Sequence, residues 1–166
     1  MEDVRFRPME ASDWHWVKEI YEDGIATGDA TFETEAPPWE DWDAKHVASC
    51  RIVAESAGRI VGWAGLWPAS DRCVYGGVAE VSVYVAGEAQ GAGLGSRLLG
   101  KLVSESEREG FWTLQAGIFP ENRSSVRIHQ KCGFRVIGHR EKLGKMGGVW
   151  RDVLLMERRS RTVGRD

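Results

Sequence analysis

The residues from Val83 to Ser96 read Val-Tyr-Val-Ala-Gly-Glu-Ala-Gln-Gly-Ala-Gly-Leu-Gly-Ser: an apolar run, a glycine-dense turn, then an amphipathic stretch. Glycine has no side chain, so backbone N–H groups in such a turn can approach a ligand closely, and a following helix adds the positive end of its dipole. A diphosphate-bearing ligand suits that combination. Three phosphate-binding patterns compete here. A Walker loop closes on Gly-Lys-Ser/Thr, and Gly95-Ser96-Arg97 does not. The dinucleotide fingerprint GxGxxG is met at Gly91 and Gly93 but ends on Ser96, and the first acid after the next strand, Glu121, lies too far along for a ribose contact. The third pattern, Q/R-x-x-G-x-G/A, is satisfied by Gln90, Gly93 and Gly95. Taken alone, that hexapeptide also fits a plain helix-initiating turn, so its meaning rests on the rest of the chain.

Such a turn needs a strand before it and a helix after it, and the hydrophobic pattern supplies both. Val78 to Ala86 is the most strand-like run of the chain. After the turn, Leu94, Leu98 and Leu102 recur every four residues, Leu99 and Val103 widen the apolar face, and Gly110 closes the helix. Upstream, Val4 to Arg7 alternates as a strand ending at Pro8, and Ser12 is placed to cap a helix through Gly24 with Trp16, Val17, Ile20 and Tyr21 as its buried stripe. Ile25 to Pro38 reads as a loop, Trp39 to Ser49 as a short amphipathic helix. Arg51 to Glu55 and Ile60 to Trp67 form strands around a turn at Ala57-Gly58, followed by a polar loop from Pro68 to Gly77. Downstream come a strand at Trp112 to Phe119, a helix capped by Asn122 and ended by Gly133, and strands at Phe134 to Lys142 and Trp150 to Glu157. The order β-α-α-β-β-β-α-β-α-β-β predicts an α/β fold, a mixed sheet of about six to seven strands flanked by helices.

The chain has 166 residues. That length predicts a single domain, placed at residues 1–160 with a C-terminal tail at 161–166. With 42% hydrophobic and 28% charged residues it is globular rather than disordered. A net charge of −3 without a concentrated basic face argues against nucleic acid as a partner. The longest apolar run, Ile60 to Trp67, is too short for a membrane span, which needs about 20 residues. Met1-Glu2-Asp3 is acidic where a secretory signal would be basic, and Cys50, Cys73 and Cys132 form no CxxC or Cys/His cluster. The expectation is a reduced, cytoplasmic chain with no metal. Eight tryptophans are more than a core of this size needs, so some are expected to line a small-molecule pocket.

Four further stretches stand beside the glycine turn: Ala30 to Glu35, Ala79 to Val85, Leu114 to Asn122 and Gly148 to Val153. Together they resemble the GNAT acetyltransferases, and within them the phosphinothricin and methionine sulfoximine N-acetyltransferases, over residues 3–160 in one order without large gaps. The resemblance implies a GNAT fold, acetyl-CoA as co-substrate, a homodimer, and acetylation of the α-amino group of a small amino acid such as methionine sulfoximine, methionine sulfone or phosphinothricin. It also implies residue roles. Val83, Tyr84 and Val85 match the strand that pairs with the pantetheine arm. Gly91, Ala92, Gly93, Leu94, Gly95 and Ser96 match the pyrophosphate loop, with Asn122 near the thiol end and Lys131 also approaching the cofactor. Glu80 matches the general base, and Asp71 to Cys73 with Glu80, Val81 and Ser82 match the acceptor contacts. His129 stands where many GNAT enzymes have a tyrosine that protonates the departing thiolate, which leaves the acid open.

Direct acyl transfer to an amine sets three tasks. The ammonium must lose a proton, and Glu80, with no Arg or Lys nearby in sequence, is a carboxylate that can take it. The developing oxyanion needs a fixed donor, which a main-chain N–H between Val83 and Val85 can supply. The thiolate leaves more readily when protonated, and His129 titrates in the required range unless it is simply a hydrogen-bonded helix residue. A covalent route through Cys73 or Cys132 lacks an organised base. For the acceptor, the Arg72 fork fits a carboxylate bidentately, walled by Asp71, Cys73, Tyr75 and Phe32. Two readings compete: transfer to another amine, such as a polyamine or a protein N-terminus, and a non-catalytic acetyl-CoA-binding module.

Overall fold

The computed structural model describes residues 3–166. Its strands are β1 (Arg5–Pro8), β2 (Arg51–Ser56), β3 (Arg59–Pro68), β4 (Val78–Val85), β5 (Thr113–Ile118), β6 (Arg135–Met146) and β7 (Val149–Arg159). Its helices are α1 (Trp14–Ala26), α2 (Trp39–Lys45), α3 (Leu94–Arg108) and α4 (Arg123–Lys131). The strands form one sheet in the order β1-β2-β3-β4-β5-β7-β6. Every neighbouring pair is antiparallel except β4 and β5, which are parallel and joined through α3. The element order and the mixed sheet are those expected from the sequence.

Strand alternation decides which helix covers which face. On β3, a Cβ at Gly62 would point at Leu98 and Leu94 of α3, whereas one at Gly65 would point at Trp42 and His46 at the end of α2. So α3 and α4 cover one face, and α1 and α2 the other. Leu98, Leu99 and Leu102 are wholly buried on the first face, Trp42 and Trp63 on the second. Among the described residues no helix is long and apolar enough to cross a membrane.

Several boundaries differ from expectation for identifiable reasons. Ser12 does not cap α1. A short 3-10 turn over Ala11–Asp13 comes first, and both oxygens of Asp13 accept from the Arg7 guanidinium at 2.8 Å. Asp13 also accepts the Glu10 N–H, so an ion pair rather than a hydroxyl fixes the start of the helix. The second helix stops at Lys45 rather than continuing to Ser49, because His46 turns extended and the Val47 N–H donates to the Leu66 carbonyl at 2.8 Å. The last two strands reach further toward each other than expected. They meet at Gly147-Gly148, whose φ values of 54° and 81° form the left-handed two-residue turn that suits the twist of a hairpin. The tail folds back: the Arg159 guanidinium donates to the carbonyls of Val163 and Gly164 at 2.8 and 2.6 Å.

Gly24, inside α1, touches the sheet directly. A Cβ there would lie 2.7 Å from two carbons of the Tyr84 ring, which is stacked on Trp63 and met edge-on by Tyr21. Alanine would improve helix propensity by about 1 kcal/mol, but forcing extra volume into packed rings costs about 1–3 kcal/mol. Gly24→Ala should therefore lower stability in urea denaturation, against the usual direction for such a change in a helix. A more stable variant would show that Tyr84 is free to move away.

Candidate active site

β4 and β5 pair at only three positions, Val78↔Thr113, Ala79↔Leu114 and Glu80↔Gln115. β4 continues to Val85 and β5 to Ile118, so the strands part just beyond Glu80 and Gln115. A cleft of about 1410 Å³ opens in the gap, lined along β4 by Glu80 to Val85 and along β5 by Gln115 to Phe119. Sites for drug-sized ligands run to roughly 300–1,000 Å³, so this one has room for a large ligand and a small one together.

The far end of the cleft suits a diphosphate. Gly91 and Gly93 have φ values of 82° and 76°, and a Cβ on either would meet nothing within 4 Å. Their need for glycine is therefore conformational, and the space where a side chain would stand is open. Gly93 caps α3, whose first main-chain bond runs from the Arg97 N–H to the Gly93 carbonyl. The amides of Leu94, Gly95 and Ser96 thus precede the helical ladder and carry the positive end of its dipole. Gln90 Nε2 donates to the Val85 carbonyl at 3.2 Å and ties the loop to β4. Gly95 allows α3 to lie against α4, since its Cβ would stand 2.9 Å from Ile128 Cδ1.

Of the residues expected at the cofactor, Val83, Tyr84, Val85, Gly91, Gly93, Leu94, Gly95, Ser96 and Asn122 line the cleft. Ala92 and Lys131 do not. Ala92 is exposed beside the loop, and Lys131 stands exposed at the far end of α4, which offers the cleft its first turn together with Ile128 and His129. Asn122 spends its side chain on structure: its oxygen accepts the Ser125 N–H, and its Nδ2 donates to the Asp29 carbonyl, each at 3.2 Å.

At the near end Glu80 is half-buried beside the strand fork and accepts from Gln115 Nε2 at 3.3 Å. Burial pushes its carboxyl above the usual carboxylate range, while the Gln115 bond and the Lys45 ammonium pull it back. Lys45 is the cation that sequence neighbours did not reveal. Its Nζ lies 4.8 Å over the ring of Trp67, and Trp67 is the direct cross-strand partner of Glu80. His129 is buried, and its Nδ1 lies 2.7 Å from the Ser125 carbonyl, which assigns the ring proton to that nitrogen. Burial lowers its pKa, so at neutral pH the imidazole is uncharged and its one N–H is already committed. The expected thiolate acid is a proton acceptor in this state.

Phe32, Glu80, Val81 and Ser82 line the cleft as expected of acceptor contacts. Asp71, Arg72, Cys73 and Tyr75 do not. β3 and β4 stay paired past Trp67 and Glu80, through Pro68↔Ala79 and the Ala69 N–H to the Val78 carbonyl, before the chain turns. The turn is thereby carried beyond the sheet, where all four side chains are exposed and the Arg72 guanidinium rests 5.3 Å over Tyr75. The cleft instead has an aromatic wall not anticipated in detail, with Trp42, Trp63, Trp67 and Tyr21 beside Tyr84.

Residues 11–134 match the acetyltransferase (GNAT) family, and the chain belongs to it. It is 34% identical over 161 residues to a phosphinothricin N-acetyltransferase of Streptomyces viridochromogenes, covering 93% of this chain and 87% of that one. It is 37% identical over 108 residues to an L-methionine sulfoximine/L-methionine sulfone acetyltransferase of Salmonella typhimurium, a match spanning 64% of this chain and 62% of the relative. Its fold is similar to that of yncA from Salmonella typhimurium, solved with its cofactor acetyl-CoA, with a TM-score of 0.88, 25% identity and 99% of each chain covered.

A carboxyl whose pKa is higher in the folded than in the unfolded chain contributes its stability at acid pH, and that contribution is lost as pH rises through the folded value. Glu80 is such a group. Glu80→Gln should therefore stabilise the protein at pH 7 to 8, and the gain should vanish below about pH 4, where the unfolded carboxyl is protonated too. Denaturation midpoints of both proteins across pH read this; a variant less stable at neutral pH would contradict the burial argument.

Proposed function

We propose that the protein moves the acetyl group of acetyl-CoA directly to the α-amino group of a small free amino acid or analogue, of the methionine sulfoximine, methionine sulfone or phosphinothricin type. The observation that carries this reading is the single cleft that joins a glycine cradle at a helix N-terminus to a half-buried carboxylate at a strand fork. The residues present fit acetyl-CoA: the amides of Leu94, Gly95 and Ser96 precede the helical ladder at the glycine turn, and β4 leaves one edge without a strand partner beyond Glu80. When bound, acetyl-CoA supplies an activated carbonyl carbon.

The chain's own groups do the rest. The amides of Leu94, Gly95 and Ser96 hold diphosphate charge, and main-chain N–H groups between Val83 and Val85 face developing charge on oxygen. Glu80 takes the proton of the acceptor ammonium, and its raised pKa makes it a better base than a carboxylate in water. Lys45, beside Glu80 on the wall of the cleft, is the cation that meets the acceptor carboxylate, a role the exposed Arg72 does not reach within one chain. Trp67, Trp42 and Phe32 offer apolar surface to the acceptor side chain.

The same reading takes the working unit to be a homodimer in the cytoplasm. β6 is an outer strand, and Val136, Ile137, Leu143, Val149 and Trp150 of the last hairpin are apolar and exposed. An apolar sheet edge of that length favours a second copy over water.

Release of CoA thiol in the presence of a panel of amines tests the assignment. Methionine sulfoximine and phosphinothricin should be turned over, and polyamines and peptides with a free N-terminus should not; the reverse pattern would establish another acceptor class, and acetyl-CoA binding without transfer to anything a binding module. Glu80→Gln should lower kcat by at least about a hundredfold, the usual scale for a general base. Lys45→Met should raise KM for carboxylated acceptors by about tenfold, a loss of about 1.4 kcal/mol, and leave decarboxylated analogues unaffected. If Arg72→Ala shows that selectivity and Lys45→Met does not, the carboxylate site lies at the turn and not on the cleft wall.

A further inference from the structure

One guanidinium links the two walls of the cleft. Arg151 on β7 has a side chain only 13% exposed. Its Nη1 donates to the Gly28 carbonyl and its Nη2 to Asp29 Oδ1, both at 2.8 Å, and Nη2 also lies 3.5 Å from Glu121 Oε2. The centre of its fork stands 4.1 Å from the centroid of Phe119. Asp29 belongs to the loop between α1 and α2, which carries Phe32 into the cleft, and Phe32 meets Phe119 edge-on at 4.8 Å. Glu121 precedes Asn122, whose side chain donates to the Asp29 carbonyl. Segments nearly a hundred residues apart in sequence, the acceptor wall and the segment at the cofactor's reactive end, thus meet on one planar cation.

Arginine suits this task because its fork makes several directed bonds while its face lies on a ring, which a lysine cannot do. We propose that Arg151 is a positioning residue that couples the halves of the cleft, so that acetyl-CoA seated beside Asn122 also fixes the Phe32 loop for the acceptor. This rests on the functional reading above. Coupling of this kind is reciprocal: each ligand tightens the other by the same factor.

The test uses the full chain, with Arg151→Met, which keeps the stem over Phe119 and removes the bonds, and Arg151→Lys, which keeps the charge without the fork. Hydrogen exchange at residues 27–33 should slow when acetyl-CoA is added to the parent, and should not respond in Arg151→Met. KM for methionine sulfoximine at saturating acetyl-CoA, and KM for acetyl-CoA at saturating methionine sulfoximine, should each rise about tenfold in Arg151→Met with kcat altered less than about twofold, and Arg151→Lys should recover only a minor part. Should Arg151→Met not fold, Asp29→Asn combined with Glu121→Gln removes the anionic partners from the other side and should give the same pattern. Equal exchange responses in parent and variant, or a KM unchanged, would overturn the proposal. The exchange measurement needs acetyl-CoA alone, so a parent that ignores methionine sulfoximine counts against the acceptor and still leaves Arg151 decided.

Discussion

Two parallel strands that begin as partners and then separate govern everything else in this molecule. β4 is held along its full length by β3, from Pro68↔Ala79 to Gly62↔Val85, and β5 is held along its full length by β7. Each strand is therefore fixed from its outer side, and the two need share only three residue pairs. A parallel pair requires a crossover, and here the glycine turn after Val85 brings the start of the crossover helix at Leu94 to the same cleft as the unpaired edge of β4. Backbone polar groups left open in this way call for a partner. The fork makes a ligand part of the hydrogen-bonding economy of the sheet.

The fork also sets the electrostatics of the near end. Glu80 and Gln115 are the last pair before separation, so the carboxylate sits where the sheet stops excluding water completely. Trp67 crosses from β3 opposite Glu80 and carries Lys45 on its face, while Trp42 and Trp63 close the floor behind it. Several of the tryptophans thus shape a pocket as well as a core. The packing beneath is tight enough at Gly24 that a Cβ there would stand 2.7 Å from the Tyr84 ring.

What could be read from the sequence was local. The glycine turn, the four-residue recurrence of Leu94, Leu98 and Leu102, and the closing Gly110 act within a few residues of themselves, and the strand–turn–helix unit was legible from them. Glu80 was legible as a candidate because it lies on the same strand. Lys45, 35 residues upstream, was not: nothing in the spacing of α2 says that its last side chain crosses to the face of Trp67. The placement of Arg72 was hidden for the opposite reason: it is near Glu80 in sequence, while β3 and β4 carry its turn past the end of the cleft. The end of α2 depended on a carbonyl of β3. The contacts of Arg151 span 30 to 123 residues, and no periodicity encodes separations of that kind.

Burial of Glu80 works against folding and, on the proposed function, in favour of proton transfer, and the two effects have one origin. Desolvation outweighs the help of Gln115 and Lys45, so the ionised side chain is held less comfortably than in water. On the proposed route, an arriving ammonium adds its charge to that of Lys45 on the Glu80 carboxylate. Passing its proton to the carboxylate then removes both charges from a medium that screens poorly, which moves the transfer toward balance, whereas in water the large gap between amine and carboxyl pKa values opposes it. The neutral His129 adds no charge that would disturb this exchange. A site that kept Glu80 fully solvated would make a more stable protein and a weaker base, so the same strand separation that opens the cofactor channel also tunes the carboxylate at its mouth.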